Sequence, residues 1–348
     1  MQAVIIEKPG VYGIKDIPEP VCPDDGLMIR VLACGLCGSD LRTLRSGHHR
    51  IRLPFTIGHE VSGRVIKTGR NYSGPWKLDQ DLSVSPVVYC NKCNFCRYGV
   101  FELCSGYREL AQHWPGGFAE YMAIPAEALL HGTIQEIPGD TDPVHATVVE
   151  PLSSCVNAQE KGNVGLGDTV VIIGAGPIGT LHLELARIRG AKTVIVADID
   201  ENRLEMIEAF NPDMLVNPAE TGLIEKVMEA TGGYGADVVI TASPAPETQI
   251  QSVEMAKKGG RILLFGGLPK DRARPQIDMN IVHYNALHLI GTTIFAPRHN
   301  RIAMELVVSG KIDAGKFISH ILPLAEFEEG AWLALEGRAR KVVFVNKC

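Results

Sequence analysis

The run Val170-Val-Ile-Ile-Gly-Ala-Gly-Pro-Ile-Gly179 constrains this chain more than any other stretch. Its apolar residues break into three glycines spaced G-x-G-x-x-G and resume with helical spacing from Leu181 to Ile188. That pattern predicts a strand, a tight turn and a helix whose N-terminus receives a pyrophosphate. Gly174 permits the turn, Gly176 presents no Cβ to hold phosphates away, and Gly179 lets the helix pack on the strand. Ile178, inside the motif, belongs to the same cofactor-binding surface. With 36 glycines in the chain, chance matches to this spacing arise. Here a second apolar run, Thr193-Val-Ile-Val-Ala197, follows and ends at Asp198, close to where a ribose-binding carboxylate belongs. Such a carboxylate accepts hydrogen bonds from both ribose hydroxyls of NAD and repels the extra phosphate of NADP, so NAD is favoured. Arg203 works the other way, because a guanidinium near that ribose can stack on the adenine or attract a phosphate. Asp200 and Glu201 read as solvated loop charges.

A chain of 348 residues exceeds the usual size of one hydrophobic core, so two domains are expected. The formal net charge of −6 argues against nucleic-acid or anionic-membrane binding. No apolar stretch reaches the roughly 20 residues of a membrane span. The N-terminal Met1-Gln-Ala-Val-Ile-Ile-Glu-Lys runs straight into a strand-like segment with no charged-then-apolar leader, and a cytoplasmic location is the expectation. In a reducing compartment, cysteines at regular spacing suit a metal better than disulfides.

The first 150 residues or so read as short strands punctuated by Pro and Gly: Ala3 to Glu7, Leu27 to Ala33, Gly63 to Lys67, Leu82 to Val84 and Ala119 to Ile124. Two groups of metal-binding residues fall in this β-rich half. In Cys34-Gly-Leu-Cys37-Gly-Ser-Asp40 a glycine-flanked cysteine can present a thiolate, and Gly58-His59-Glu60 offers an imidazole and a carboxylate. Cys37 and His59 are good zinc ligands, and a catalytic zinc takes three protein ligands and leaves one position open. Glu150, in Val149-Glu150-Pro151, is the best candidate for the third ligand, and Glu60 competes with it. Cys34 and Cys37 also form a C-x-x-C that could be a redox pair, although no thioredoxin-like βαβ unit surrounds it. The second group is stronger. Cys90, Cys93, Cys96 and Cys104 give C-x2-C-x2-C-x7-C, four thiolates suited to a closed tetrahedral, structural zinc. An iron–sulfur cluster is the alternative, disfavoured by the x7 gap and the absence of a following proline.

After Pro151 strand-like runs alternate with helical ones. The strands are Thr169 to Ile173, Thr193 to Ala197, Met214 to Val216, Val238 to Thr241, Arg261 to Phe265 and His288 to Gly291. The helices include Glu201 to Ala209, Gly222 to Thr231 and Pro246 to Ala256. This is the pattern of an α/β, doubly wound parallel Rossmann sheet. Arg301 to Ser309 reads as one further helix, and Lys341 to Val345 as a strand returning to the first domain. The expected organisation is a discontinuous catalytic domain, 1–155 with 297–348, around a dinucleotide domain, 156–296, with the substrate in the cleft between them.

With these motifs in order the chain resembles the zinc-dependent medium-chain dehydrogenases over essentially its full length, nearest to the polyol branch that includes sorbitol, galactitol-phosphate and threonine dehydrogenases. Gly116-Gly-Phe-Ala-Glu-Tyr121, Val149-Glu-Pro-Leu-Ser153 and Gly266-Gly-Leu-Pro269 carry the resemblance alongside the motifs above. It implies a GroES-like catalytic domain and two zincs per subunit. The catalytic zinc would sit at Cys37, His59 and an acidic ligand, Glu150 or Glu60, and the structural zinc at the four-cysteine loop, with NAD on the glycine loop. It also implies a small-molecule alcohol as substrate, a homodimer or homotetramer, and oxidation of a secondary alcohol to a ketone, the zinc lowering the pKa of the hydroxyl before hydride passes to the nicotinamide. Ser39, two residues after the zinc cysteine, is the implied first proton relay. Many relatives carry a histidine five residues after that cysteine, where this chain has Arg42, and His48 or His49 would have to substitute. The run Arg42, Arg45, His48, His49, Arg50 and Arg52 is unusually basic and suits either a solvated face or an anionic substrate. Two other readings remain open: a threonine-type dehydrogenase acting on a β-hydroxy amino acid, and a catalytically silent dinucleotide-binding protein.

Overall fold

The structure, a computed structural model, describes residues 1–346. The chain divides into two compact units: Met1–Ser153 together with the residues from Phe295 onward, and Ser154–Ile294.

The first unit is built on an eight-stranded sheet. Its central strand, Leu27–Gly35, is buried on both faces and pairs antiparallel with Glu60–Thr68, Tyr121–Ile124 and Val342–Val345. The last of these is the apolar tail segment, which returns to this unit. Phe344 from that strand, Phe327 from the helix Phe327–Leu335 and Phe118 stack within 4.9–5.7 Å of one another, so the C-terminal residues complete the core that the N-terminal strands begin. The short strand expected at Leu82–Val84 extends over Asp81–Val88. One element the hydrophobic pattern did not announce is the helix Gly38–Ser46, directly after Cys37.

The second unit carries a six-stranded, all-parallel sheet in the order Met214–Val216, Thr193–Ala197, Thr169–Ile173, Ala236–Thr241, Ala256–Leu264, His288–Gly291. Both faces are covered, which explains the unbroken apolar runs: Val170, Ile172, Val194 and Val196 face one core, and Val171, Ile173, Ile195 and Ala197 the other. Strand order reverses at Thr169–Ile173, and the glycine turn lies at its carboxyl end, where doubly wound sheets bind ligands. Gly174 has φ +122°. A Cβ on Gly179 would lie 1.8 Å from the Gly174 carbonyl oxygen, so the strand-to-helix packing admits no side chain there. Gly176 caps the helix Pro177–Ile188, and a Cβ there would meet nothing within 4 Å, leaving the helix N-terminus open. Helix expectations shift slightly: Pro246 to Ala256 ends at Glu254, because Ala256 already belongs to the next strand.

Helix Pro177–Ile188 also buries His182 completely. Its Nδ1 lies 3.2 Å from Gln159 Nε2, its ring packs edge-on at 4.8 Å from Phe265, and burial pushes its pKa down to about 3. The folded state keeps this imidazole neutral while the unfolded chain protonates it below about 6.5, so its stabilising effect is complete above that pH and declines as the pH falls toward 3. At pH 4.5 the loss amounts to about 3 kcal/mol. Urea titrations of the protein and of His182→Leu between pH 7 and 4.5 should show the variant losing about that much less stability. Parallel curves would mean that His182 does not control the acid limb.

Candidate zinc and dinucleotide sites

Cys37 is the N-cap of the helix Gly38–Ser46. Asp40, in the first turn, accepts a hydrogen bond from the Cys37 N–H at 3.0 Å through Oδ2 and sits 3.1 Å from His59 Nδ1 through Oδ1. One buried carboxylate thereby fixes both the cysteine backbone and the imidazole, leaving His59 Nε2 to face a metal. Ser39 Oγ is 3.4 Å from that Nε2. Burial opposes a charge on His59, but the Asp40 carboxylate and the Cys37 sulfur hold its pKa well above the ordinary histidine value.

Ligand atoms of Cys37, His59 and Glu60 lie within 4.8 Å of one another. Glu60, rather than Glu150, is thus the carboxylate gathered with the cysteine and histidine. It is fully buried, and its Oε1 has no hydrogen-bond partner. An orphaned carboxylate oxygen in such a place fits a cation. Its other oxygen is paired with Lys341 Nζ, which also donates to the Leu36 carbonyl at 3.0 Å. A Cβ at Gly35 would lie 2.0 Å from Glu60 Oε2, so this pair is packed against bare backbone. Glu150, in the first turn of helix Val149–Lys161, stands half-buried within electrostatic reach of His59, Glu60 and Lys341. Burial, reinforced by the Glu60 charge, pushes its carboxyl up to about 7. Cys34 points into the core at 1% exposure, burial lifts its thiol well above the ordinary range, and no disulfide joins it to Cys37.

In the four-cysteine loop, Cys93 Sγ is 3.6 Å from Cys96 Sγ and Cys104 Sγ 3.4 Å from Cys90 Sγ, with all four sulfurs within 4.8 Å. Zn–S bonds of about 2.3 Å in a tetrahedron require sulfur separations near 3.8 Å, so the residues fit that ion. Hydrogen bonds from the Cys96 and Ser105 N–H groups hold Cys93 down at about 6, whereas burial raises Cys96 to about 12. A divalent cation would stabilise all four as thiolates.

At the glycine loop, Asp198 is buried, with Oδ2 accepting from the Ala175 N–H at 2.8 Å and Oδ1 from the Asp200 N–H at 3.0 Å. Its orientation at the end of the second strand is therefore set. Arg203 lies 3.8 Å from Asp198 and 3.7 Å from Asp200. Ile178 is half-buried in the helix beyond Gly176. Asp200 is not a free loop charge: it caps the helix Glu201–Glu208 by accepting from the N–H groups of Asn202 and Arg203. Of the basic run, Arg42, Arg45, Arg50 and Arg52 are all exposed, and Arg50 reaches across to another segment, donating to the Tyr107 hydroxyl at 3.0 Å.

Two residues of the first site escaped the sequence reading. Asp40 carried a signal, an acidic residue three positions after a helix N-cap. Lys341 carried none, lying 281 positions from Glu60.

Residues 23–136 match the family model of the alcohol dehydrogenase GroES-like domain, and residues 177–309 that of the zinc-binding dehydrogenases. The chain is 30% identical to the sorbitol dehydrogenase of Halalkalibacterium halodurans, over 96% of this chain and 95% of that one. It is 32% identical to the L-threonine 3-dehydrogenase of Pyrococcus horikoshii, over 100% and 99%. A structure from Sinorhizobium meliloti described as a zinc-binding dehydrogenase bound to NADP superposes with a TM-score of 0.89 at 30% identity, covering 99% of this chain and 98% of that one. Joined to the clustered Cys37, His59 and Glu60 and the reversed parallel sheet with its glycine turn, these likenesses place the chain in the zinc-dependent medium-chain dehydrogenase family, in its polyol branch.

Proposed function

We propose that this enzyme oxidises a secondary alcohol of a polyol or sugar derivative to a ketone, with NAD as hydride acceptor and two zinc ions per chain, one catalytic and one structural. The observation that carries the reading is the meeting of Cys37, His59 and Glu60, three ligand types from two separate segments, with Asp40 bracing the imidazole. Three protein ligands suit a catalytic zinc, which keeps a position for substrate, and four sulfurs suit a structural one. When bound, the catalytic ion supplies Lewis acidity that lowers the pKa of a substrate hydroxyl. In this reading Ser39, exposed and beside His59 Nε2, is the first relay, accepting the hydroxyl proton as it passes its own on toward solvent. Glu150 adds a nearby carboxyl that titrates at about 7 and can hold or release a proton.

Preference for NAD rests on Asp198. Its charge stands fixed at the strand end, where a ribose 2′-phosphate would meet repulsion. The positive charge of Arg203 is already balanced by Asp198 and Asp200, which leaves it a weak anchor for that phosphate. The test is zinc analysis coupled to NADH and NADPH formation over polyols, polyol phosphates, aldonates and L-threonine. Two zincs per chain and NADH formation on one polyol class are the expected result. Turnover of L-threonine alone would replace the substrate class, and one zinc without turnover on any compound would point to a dinucleotide-binding protein.

A further inference from the structure

A cavity in the first unit has no part in the chemistry above. It measures about 280 Å³ and lies where four stretches of chain meet, with Ile5, Ile17, Pro18, Pro54, Phe55 and Pro115 forming much of its apolar wall. None of Cys37, Ser39, His59, Glu60 and Glu150 lines it, and no residue of the second unit does. It is therefore neither the seat of the reacting alcohol nor part of the dinucleotide fold.

Backbone pairing holds its walls in place. In the strand Gln2–Lys8, Val4 N–H donates to the Phe118 carbonyl at 2.8 Å and Ile6 N–H to the Phe55 carbonyl at 2.9 Å, while Ile17 N–H returns to the Met1 carbonyl at 2.9 Å. Gly116 N–H joins the remaining two stretches by donating to the Thr56 carbonyl at 2.9 Å. A Cβ at Gly116 would lie 2.5 Å from the Gly58 carbonyl oxygen, so those stretches are already at closest approach. The prolines have fixed φ angles and cannot swing into the space. The cavity is thus preformed, as small-molecule sites commonly are.

Two hydroxyl-bearing residues line this apolar space, Thr56 and Tyr121. Thr56 is 5% exposed, and Tyr121 is half-buried on the strand Tyr121–Ile124, whose Met122 and Ile124 belong to the core. Among the described residues neither hydroxyl has a hydrogen-bond partner. Buried polar groups are ordinarily bonded, so an unpartnered threonine hydroxyl at a cavity wall points to an occupant that supplies the bond.

We propose that this cavity binds a small, uncharged, largely apolar molecule that carries one hydrogen-bonding group, at a site independent of zinc, NAD and the alcohol. Its size follows from volume. An apolar cavity of about 150 Å³ takes up benzene, so this one suits a fused bicyclic or equivalent chain of about ten to twelve non-hydrogen atoms. Its neutrality follows from the lining, which contains no charged side chain, because a buried charge without a partner is costly. A hydroxyl both donates and accepts, so the occupant's polar group can be an N–H, an O–H or a carbonyl.

The test is calorimetric binding of indole and of benzothiophene, its counterpart without the N–H, to the zinc-loaded protein saturated with NAD. Wild type, Ala123→Trp and the double variant Thr56→Val/Tyr121→Phe are compared, with zinc content and thermal midpoint measured on each. Wild type should bind indole with a Kd of about 1 mM or tighter and prefer it over benzothiophene by about fivefold. Ala123 lines the cavity beside Tyr121, and a tryptophan there should fill the space and abolish binding of both probes while leaving zinc content unchanged. The double variant should still bind benzothiophene and lose the preference for indole. Absence of indole binding to the wild type at about 10 mM would overturn the proposal. So would indole binding that Ala123→Trp leaves unchanged, since the probe would then sit elsewhere. Should Ala123→Trp prove unstable, the double variant decides, and a preference for indole retained there overturns the assignment. Tighter binding of indole-3-carboxylate than of indole, lost in Ala123→Trp, would overturn the claim that the occupant is uncharged.

Discussion

Cys37→Ser is expected to lower kcat/KM by about 1000-fold or more while leaving the fold and the four-cysteine loop intact. The sulfur belongs to a helix N-cap residue whose backbone N–H is held by Asp40. A serine hydroxyl keeps that cap geometry, so the helix Gly38–Ser46 has no reason to unwind. It does not ionise at neutral pH, however, and it is a poor zinc ligand beside the soft sulfur it replaces. What remains is His59 with Glu60, two ligands where a catalytic zinc takes three. Lewis-acid assistance is worth several kcal/mol of barrier, and 4 kcal/mol corresponds to about 1000-fold in rate. Metal analysis should fall from two zincs to one per chain, with a thermal midpoint close to wild type, because Cys90, Cys93, Cys96 and Cys104 belong to a separate loop. Wild-type turnover by Cys37→Ser, or loss of both zincs, would mean that this cluster is not the catalytic centre.

How far these features could be read from the sequence depends on the range of the interactions that create them. The parallel sheet was legible because strands buried on two faces must be apolar throughout, and Val170 to Ile173 and Thr193 to Ala197 are. The glycine turn was legible because backbone constraint leaves a local trace, as Gly179 shows with its 1.8 Å approach to the Gly174 carbonyl. The four cysteines fall within fifteen residues, so their spacing alone suggested the tetrahedron. The helix after Cys37 was hidden because its polar sequence, Gly-Ser-Asp-Leu-Arg-Thr-Leu-Arg-Ser, has only two large apolar residues to set a period. The choice between Glu60 and Glu150 was hidden for a different reason. Both are acids in apolar surroundings, and what separates them is which strand or helix turns the side chain toward Cys37, a question settled by pairing of Glu60 with Gly35 across the sheet.

Lys341 is the most consequential of these long-range partners, and it yields the second large prediction. Its ammonium is 3% exposed and meets the Glu60 carboxylate at 0% exposure, so neither charge has water to fall back on. Burial alone would drive this lysine toward neutrality, but the Glu60, Cys37 and Glu150 charges hold its pKa above the ordinary value. In Lys341→Met the carboxylate stays where it is, without its countercharge, and breaking a buried pair from one side costs about 3–5 kcal/mol. The unit from Met1 to Ser153 with its C-terminal return should then unfold at distinctly lower urea, and zinc at the Cys37 cluster should bind more weakly because Glu60 loses the partner that orients it. Glu60→Gln in the same background removes the orphaned charge, and an apolar methionine beside an uncharged amide should recover most of that stability. Activity should not recover with it, because the carboxylate that completes the cluster is gone. The double-mutant cycle therefore separates two roles of one contact: stability follows the balance of charge, whereas turnover follows the presence of Glu60 itself. Equal stability losses in the single and double variants would show instead that Lys341 acts through its packing and its bond to the Leu36 carbonyl, and that its pairing with Glu60 contributes little.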